Sequence, residues 1–199
     1  MTDNSQLGLN YDKYAGILLH PTSLPSPYGI GDLGKGAYDF IDFMNRSGLN
    51  LWQVLPLGHT GFGDSPYQPF SSFAGQPLII SIDELRSANL LWDEDFYDMP
   101  EWDPHHVEYG EVITFKTGLL KLAYKRFKDD KIHDGYSTNE EFLKEYEAFR
   151  EESDWLDDYA LFMAGKDYHE GMPWYMWEDS LKKPTPKQYK AWMEKLADE

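Results

Sequence analysis

Five consecutive residues, Asp64, Ser65, Pro66, Tyr67 and Gln68, put a carboxylate, a hydroxyl, a phenol and an amide on one short stretch. They follow a loop with three glycines, Gly58, Gly61 and Gly63. An apolar run from Trp52 to Leu57 precedes that loop and suits a strand. A strand, a glycine-rich loop, then short polar groups beside an aromatic ring is a layout for holding a sugar. The ring meets the apolar face of a pyranose and the polar groups meet its hydroxyls. In a (β/α)8 barrel such loops follow the carboxyl ends of the strands. Asp64 and Ser65 carry two readings: sugar contact, and turn chemistry, since both residue types hydrogen-bond their own backbone. His20 ends an earlier apolar run. It also carries two readings, a catalytic or sugar-contacting group or, the better one, a structural hydrogen bond at the rim.

Other candidate groups point less far. Asp103, His105 and His106 match no standard metal-ligand spacing, and no metal is expected. Asp157 and Asp158 sit on a helix with an apolar stripe, where a solvated first-turn role fits better than catalysis. There is no cysteine, which excludes a disulfide framework, Cys-based zinc sites and thiol catalysis.

The elements that position these groups follow from the pattern. Gly16 to His20 is a short apolar run, consistent with a buried parallel strand. Pro21 to Gly36 holds three prolines and four glycines and is a rim loop. Ala37, Phe40, Ile41 and Met44 follow helical spacing, with an end near Ser47-Gly48. Leu51 to Leu57 is the next strand, which completes a right-handed βαβ unit. Pro77 to Ile82 is expected to be a third extended piece, followed by a short helix over 83–90. Beyond it the pattern turns helical. Phe115, Leu119, Leu122 and Phe127 mark one helix, and Ser137 to Glu141 offers a capping box for another. Trp155, Tyr159, Phe162 and Met163 mark a third. A last helix starts at Pro186. Its Asp-Glu ending opposes the macrodipole, so it is expected to run past residue 199.

Composition sets bounds. A length of 199 residues allows a real core but falls short of the ~250 of a complete (β/α)8 barrel. The net charge of −17 argues against nucleic acid and against an anionic membrane surface. No apolar run approaches the ~20 residues of a membrane span, and the polar start carries no leader-like apolar region. The chain is expected to be cytoplasmic. Aromatics make up 16 % of it, most of them expected in packing.

Two long motifs make the reading specific. The stretch from Gly16 to Gly34 (GILLHPTSLPSPYGIGDLG) and that from Trp52 to Gln68 (WQVLPLGHTGFGDSPYQ) resemble the first two strands and loops of the 4-α-glucanotransferases, the amylomaltase or disproportionating-enzyme family. Ser71 to Gly75 (SSFAG), Trp155 to Met163 (WLDDYALFM), Pro173-Trp174 and Trp177 continue the match. The resemblance runs from about residue 16 to the last residue.

The resemblance implies an α/β fold: the N-terminal part of a (β/α)8 TIM barrel with an inserted helical subdomain, the barrel incomplete. Residues 1–82 would hold the first two strands and the substrate loop, and 83–199 the helical insertion. It implies retaining transfer of α-1,4-glucan segments between maltodextrins, with no cofactor and no metal. The nucleophilic Asp, the acid/base Glu and a second Asp would follow later strands, beyond residue 199. No residue here inherits those roles, and the chain alone is expected to be inactive. By motif position Tyr67 matches the tyrosine that stacks under the sugar at the cleavage point, flanked by Asp64, Ser65 and Gln68. Phe62 stands where relatives often carry Tyr, and Ile113 near where some carry an aromatic, which leaves a secondary glucan surface site open. The partner would be maltodextrin or a starch-type α-1,4-glucan. Two rival readings are a small non-catalytic glucan-binding module and a fragment with no independent function.

Overall fold

Parallel pairing of β1 (Gly16–Leu18) and β2 (Leu51–Gln53) sets Ile17 opposite Trp52. The structure, a computed structural model, describes residues 14–129 and 140–197, and of Phe62, Glu140 and Glu141 the backbone alone. Close strand approach requires a glycine at position 16, where a Cβ would run into the Leu51 carbonyl. Helix α1 (Lys35–Arg46) makes the crossover between the strands. Its buried positions are Ala37 and Met44, two turns apart on one stripe. Gly48 adopts a left-handed φ of 69°, and its N–H reaches the Asn45 carbonyl at 3.1 Å, a glycine-terminated helix end. Phe40 packs edge-on against Trp52, ring centroids 5.0 Å apart. Trp52 Nε1 in turn donates to the Leu19 carbonyl at 2.8 Å.

The expected burial of the strands is not met. Leu18 and Leu51 are about half exposed, and so are Ile41 and Phe43 of α1. A two-stranded sheet has too few neighbours to cover both faces.

The third extended piece is also not found. Pro77–Ile79 forms a 3-10 turn, and Ser81 is the N-cap of α2 (Ile82–Ser87), accepting from Glu84 N–H. Proline at the first position and the Gln76 side chain accepting from Leu78 N–H start that turn. Four apolar residues in a row fit a strand and a buried turn equally well.

Contacts divide the chain into two compact units, Met1–Thr138 and Asn139–Glu199. In the first, α3 (Tyr109–Lys128) packs Leu119 and Ala123 with Tyr28, Ile82 and Leu91. Elements on both sides of residue 82 thus share one core. In the second, α4 (Glu140–Glu152), α5 (Leu156–Tyr168), α6 (Asp179–Lys182) and α7 (Pro186–Lys195) follow in order. Their core is Leu161, Trp177, Leu181, Trp192 and Leu196. The capping box expected over 137–141 lies outside the described residues. Thr185 and Gln188 cap α7 reciprocally, with Pro186 in its first turn. That helix ends at Lys195, where Leu196 N–H closes on the Trp192 carbonyl, so the expected helix is not found through the last described residues. No helix among the described residues is long and apolar enough to cross a membrane.

Candidate functional site

The loop from Gly58 to Gly75 folds back on itself. Gly58 bridges Gly75 and Thr60 bridges Pro69, both antiparallel. Only glycine fits at 58, since a Cβ there would lie 2.7 Å from the Pro69 Cβ. Gly61 N–H donates to the Gln68 carbonyl at 3.1 Å and Gln68 N–H to the Ser65 carbonyl at 3.0 Å. The second bond closes a β-turn over Ser65, Pro66, Tyr67 and Gln68, with proline at its second position. Just before it the backbone turns left-handed twice, at Gly63 (φ 78°) and Asp64 (φ 55°). Aspartate is one of the few side chains that occupies this region readily.

One polar clamp holds this loop and a second holds the segment that follows it. Gln76 is buried. Its Nε2 donates to Thr60 Oγ1 at 2.8 Å and its backbone N–H donates to the Leu57 carbonyl at 2.8 Å. The second clamp is Lys116 of α3, whose side chain is 0 % exposed. Its Nζ donates to the carbonyls of Leu78 (2.7 Å) and Ile80 (3.0 Å) and lies 3.5 Å from Asp32 Oδ2. Asp32 also accepts from Gly34 N–H at 3.0 Å. All three ammonium protons therefore have acceptors, the condition for burying such a charge. Burial pulls the Lys116 pKa below the usual lysine range, and the Asp32 carboxylate opposes that pull.

His20 follows β1 and caps the 3-10 turn Pro21–Ser23, its side chain accepting from Thr22 N–H. Its Nδ1 lies 2.7 Å from Thr22 Oγ1, and its buried Nε2 makes no well-aligned hydrogen bond. Burial lowers the imidazole pKa, against a smaller raising effect of the Pro56 carbonyl. Beside it lies a cavity of about 170 Å³, lined by His20, Thr22, Thr60, Asp64, Gln76 and Tyr109 among others.

The sequence model of glycoside hydrolase family 77, described as 4-alpha-glucanotransferase, matches residues 19–199. The chain belongs to this family. It is 43 % identical over 187 residues to the 4-alpha-glucanotransferase of Synechocystis sp., covering 94 % of this chain and 36 % of that protein. To the Thermus thermophilus 4-alpha-glucanotransferase it is 44 % identical over 185 residues, covering 92 % and 35 %. The solved amylomaltase from Streptococcus agalactiae in complex with acarbose superposes with a TM-score of 0.82 at 32 % identity, covering 94 % of this chain and 36 % of the other. The chain thus spans about a third of the length of the 4-alpha-glucanotransferases it matches.

The candidate residues divide into two groups. Asp64 and His20 share the small cavity. Tyr67 does not line it and is 69 % exposed. Ser65 and Gln68 supply the backbone of the turn that presents Tyr67. The Phe62 side chain lies outside the described ones, and Ile113 is partly exposed on α3. His106 Nε2 lies 3.3 Å from Glu108 Oε1, and His105 N–H donates to Asp103 Oδ1. Among the described residues no three His, Asp or Glu side chains gather as metal ligands.

Gln76, Thr60, Asp32 and Lys116 do not stand out in the sequence. One signal is there for Lys116. Val112, Lys116, Leu119 and Ala123 form the buried stripe of α3, so a lysine stands at a core-facing period.

Proposed function

We propose that this chain forms the front of a 4-α-glucanotransferase. The whole enzyme would move an α-1,4-glucan segment from a donor to the 4-hydroxyl of an acceptor glucose or maltodextrin, through a covalent glycosyl-enzyme. Residues 1–82 would supply the first two strands of a (β/α)8 barrel and one sugar subsite, and residues 83–199 a helical elaboration. Tyr67 would lie under the pyranose at the cleavage point, with Asp64, Ser65 and Gln68 beside it and His20 lining the recess behind. The observation that carries this reading is the family match over residues 19–199, joined to a clamped loop that leaves the Tyr67 ring exposed.

Retaining transfer needs two carboxyl groups about 5–5.5 Å apart. Among the described residues Asp64 is the sole acid lining the His20 cavity. On this reading the carboxylate pair comes from chain beyond residue 199, and residues 1–199 alone transfer no glucan. Incubation with maltotriose tests this: glucose and longer maltodextrins above a denatured control would refute it. In the protein extended to the length of its relatives, Tyr67→Ala should lower turnover about tenfold to a thousandfold, or ~1.4–4 kcal/mol of transition-state stabilisation. Tyr67→Phe should be milder. Unchanged turnover in Tyr67→Ala would make the ring a packing group and remove the subsite.

A further inference from the structure

The second unit carries an aromatic groove that the transfer reaction does not use. It measures about 470 Å³, within the range of roughly 300–1,000 Å³ for small-molecule sites. Trp177 and Leu181 form its floor and are buried. Trp177 is fixed there: its Nε1 donates to the Met172 carbonyl at 3.0 Å, and its ring lies 5.4 Å from that of Phe162. One wall is Trp174, which leaves 52 % of its surface to solvent. Pro184 and Tyr189 also line it. A half-exposed indole, Trp174, beside a held and buried one, Trp177, marks a binding surface more than a packing one.

The polar groups at the groove narrow the class of ligand. Asp158 and Lys182 both line it. Burial, and next the neighbouring Asp158 carboxylate, push the Tyr189 phenol up to about 12, and that carboxylate keeps lone pairs open. Lys182 spends two of its three donors, on Asp179 Oδ1 at 2.7 Å and the Tyr175 carbonyl at 3.4 Å. A ligand that fits must offer donors to Asp158, an acceptor to Lys182 and an apolar face to Trp174. A polyhydroxyl pyranose does all three. An apolar helix would bury the remaining lone pairs of Asp158 and the third Lys182 donor without partners, which is costly. An anionic ligand would meet a chain of net charge −17. We propose that this groove is a second, non-catalytic α-1,4-glucan site, with Trp174 as its stacking platform and Asp158 and Lys182 as hydroxyl partners. The choice of α-1,4-glucan among pyranoses rests on the function proposed above; the site itself rests on the groove.

The test is a titration of the ¹⁵N-labelled chain with maltohexaose, following the indole N–H signals. The Trp174 and Trp177 signals should shift and saturate. Trp174→Ala should raise Kd at least about tenfold at this site. Asp158→Asn, which keeps the platform, should raise it roughly two- to tenfold. Tyr67→Ala should leave the Trp177 response unchanged, so failure of the rim subsite and failure of the groove are read separately. Cellohexaose in place of maltohexaose separates the α-glucan assignment from the site: weaker shifts support it, equal shifts overturn it. The groove proposal is overturned if no saturable shift occurs at Trp174 or Trp177 up to about 10 mM glucan, the weak limit of specific recognition. It is equally overturned if Trp177 responds as before in Trp174→Ala, or if an amphipathic helical peptide shifts these signals and maltohexaose does not.

Discussion

The rim of the first unit and its strand pair are built on opposite terms. At the rim, two buried polar side chains are answered: Lys116 by two carbonyls and Asp32, Gln76 by Thr60 and Leu57. At the strands, apolar groups stay in water. Leu18, Leu51, Ile41 and Phe43 are all about half exposed. The rim therefore holds its shape through specific bonds made within the described residues. The strand pair relies on backbone pairing and leaves apolar surface exposed among the described residues.

Breaking the rim should produce the largest effect. Lys116→Met removes the ammonium from Asp32 and from both carbonyls. Loss of one partner of a buried pair costs about 3–5 kcal/mol, so denaturant unfolding should shift by that much or the chain should fail to fold. Lys116→Arg keeps the charge and should recover part of the loss. A change below about 1 kcal/mol would mean that the rim is not held by this network.

The loop can be probed with two glycines at one bridge. Gly58→Ala drives a Cβ to 2.7 Å from Pro69 and should cost about 1–3 kcal/mol by overpacking. At Gly75, its bridge partner, an added methyl group would meet nothing within 4 Å. Gly75→Ala should be neutral or slightly stabilising. Equal thermal shifts in the two variants would contradict the closed loop.

A proton should weaken the rim as well. His20 titrates below its ordinary value because it is buried. The unfolded chain then binds more protons than the folded one as pH falls below about 6.5, so stability is lost across that window and is present above it. The melting temperature of the wild type should drop more between pH 7.5 and 5 than that of His20→Asn, which keeps a capping side chain. Parallel curves would remove the histidine from the rim's acid response.

The smallest effect belongs to the strand side. Phe43→Glu replaces an exposed apolar group and should change stability by no more than about 0.5 kcal/mol. It should reduce self-association, since exposed apolar patches drive it. Light scattering together with a denaturation midpoint checks both halves of that statement.

What is legible in the sequence is what repeats or punctuates. The stripe of Ala37 and Met44, the stop at Gly48, and Pro186 at the start of α7 are each a local signal, and each element forms where its signal stands. The loop is legible through its glycines. Lys116 is legible only as a lysine at a core-facing period; its carbonyl acceptors sit 36 and 38 residues away, where no local pattern points. Pro77 to Ile82 passes for a strand because the decisive partners of that segment, Gln76 and Lys116, act through side chains. Asp64 and Tyr67 group together by adjacency, yet two left-handed residues and a tight turn send one toward a cavity and leave the other to solvent.

The span of the Lys116–Asp32 pair also sets an order of assembly. It joins residues 84 positions apart, whereas β1 and β2 meet across the 35 positions from Gly16 to Leu51. Closing the longer loop costs about 0.8 kcal/mol more in chain entropy, and it requires α3 to be in place first. The strands should therefore pair early in folding and the rim should lock late. Removing the lysine would then hasten unfolding while leaving the folding rate almost untouched.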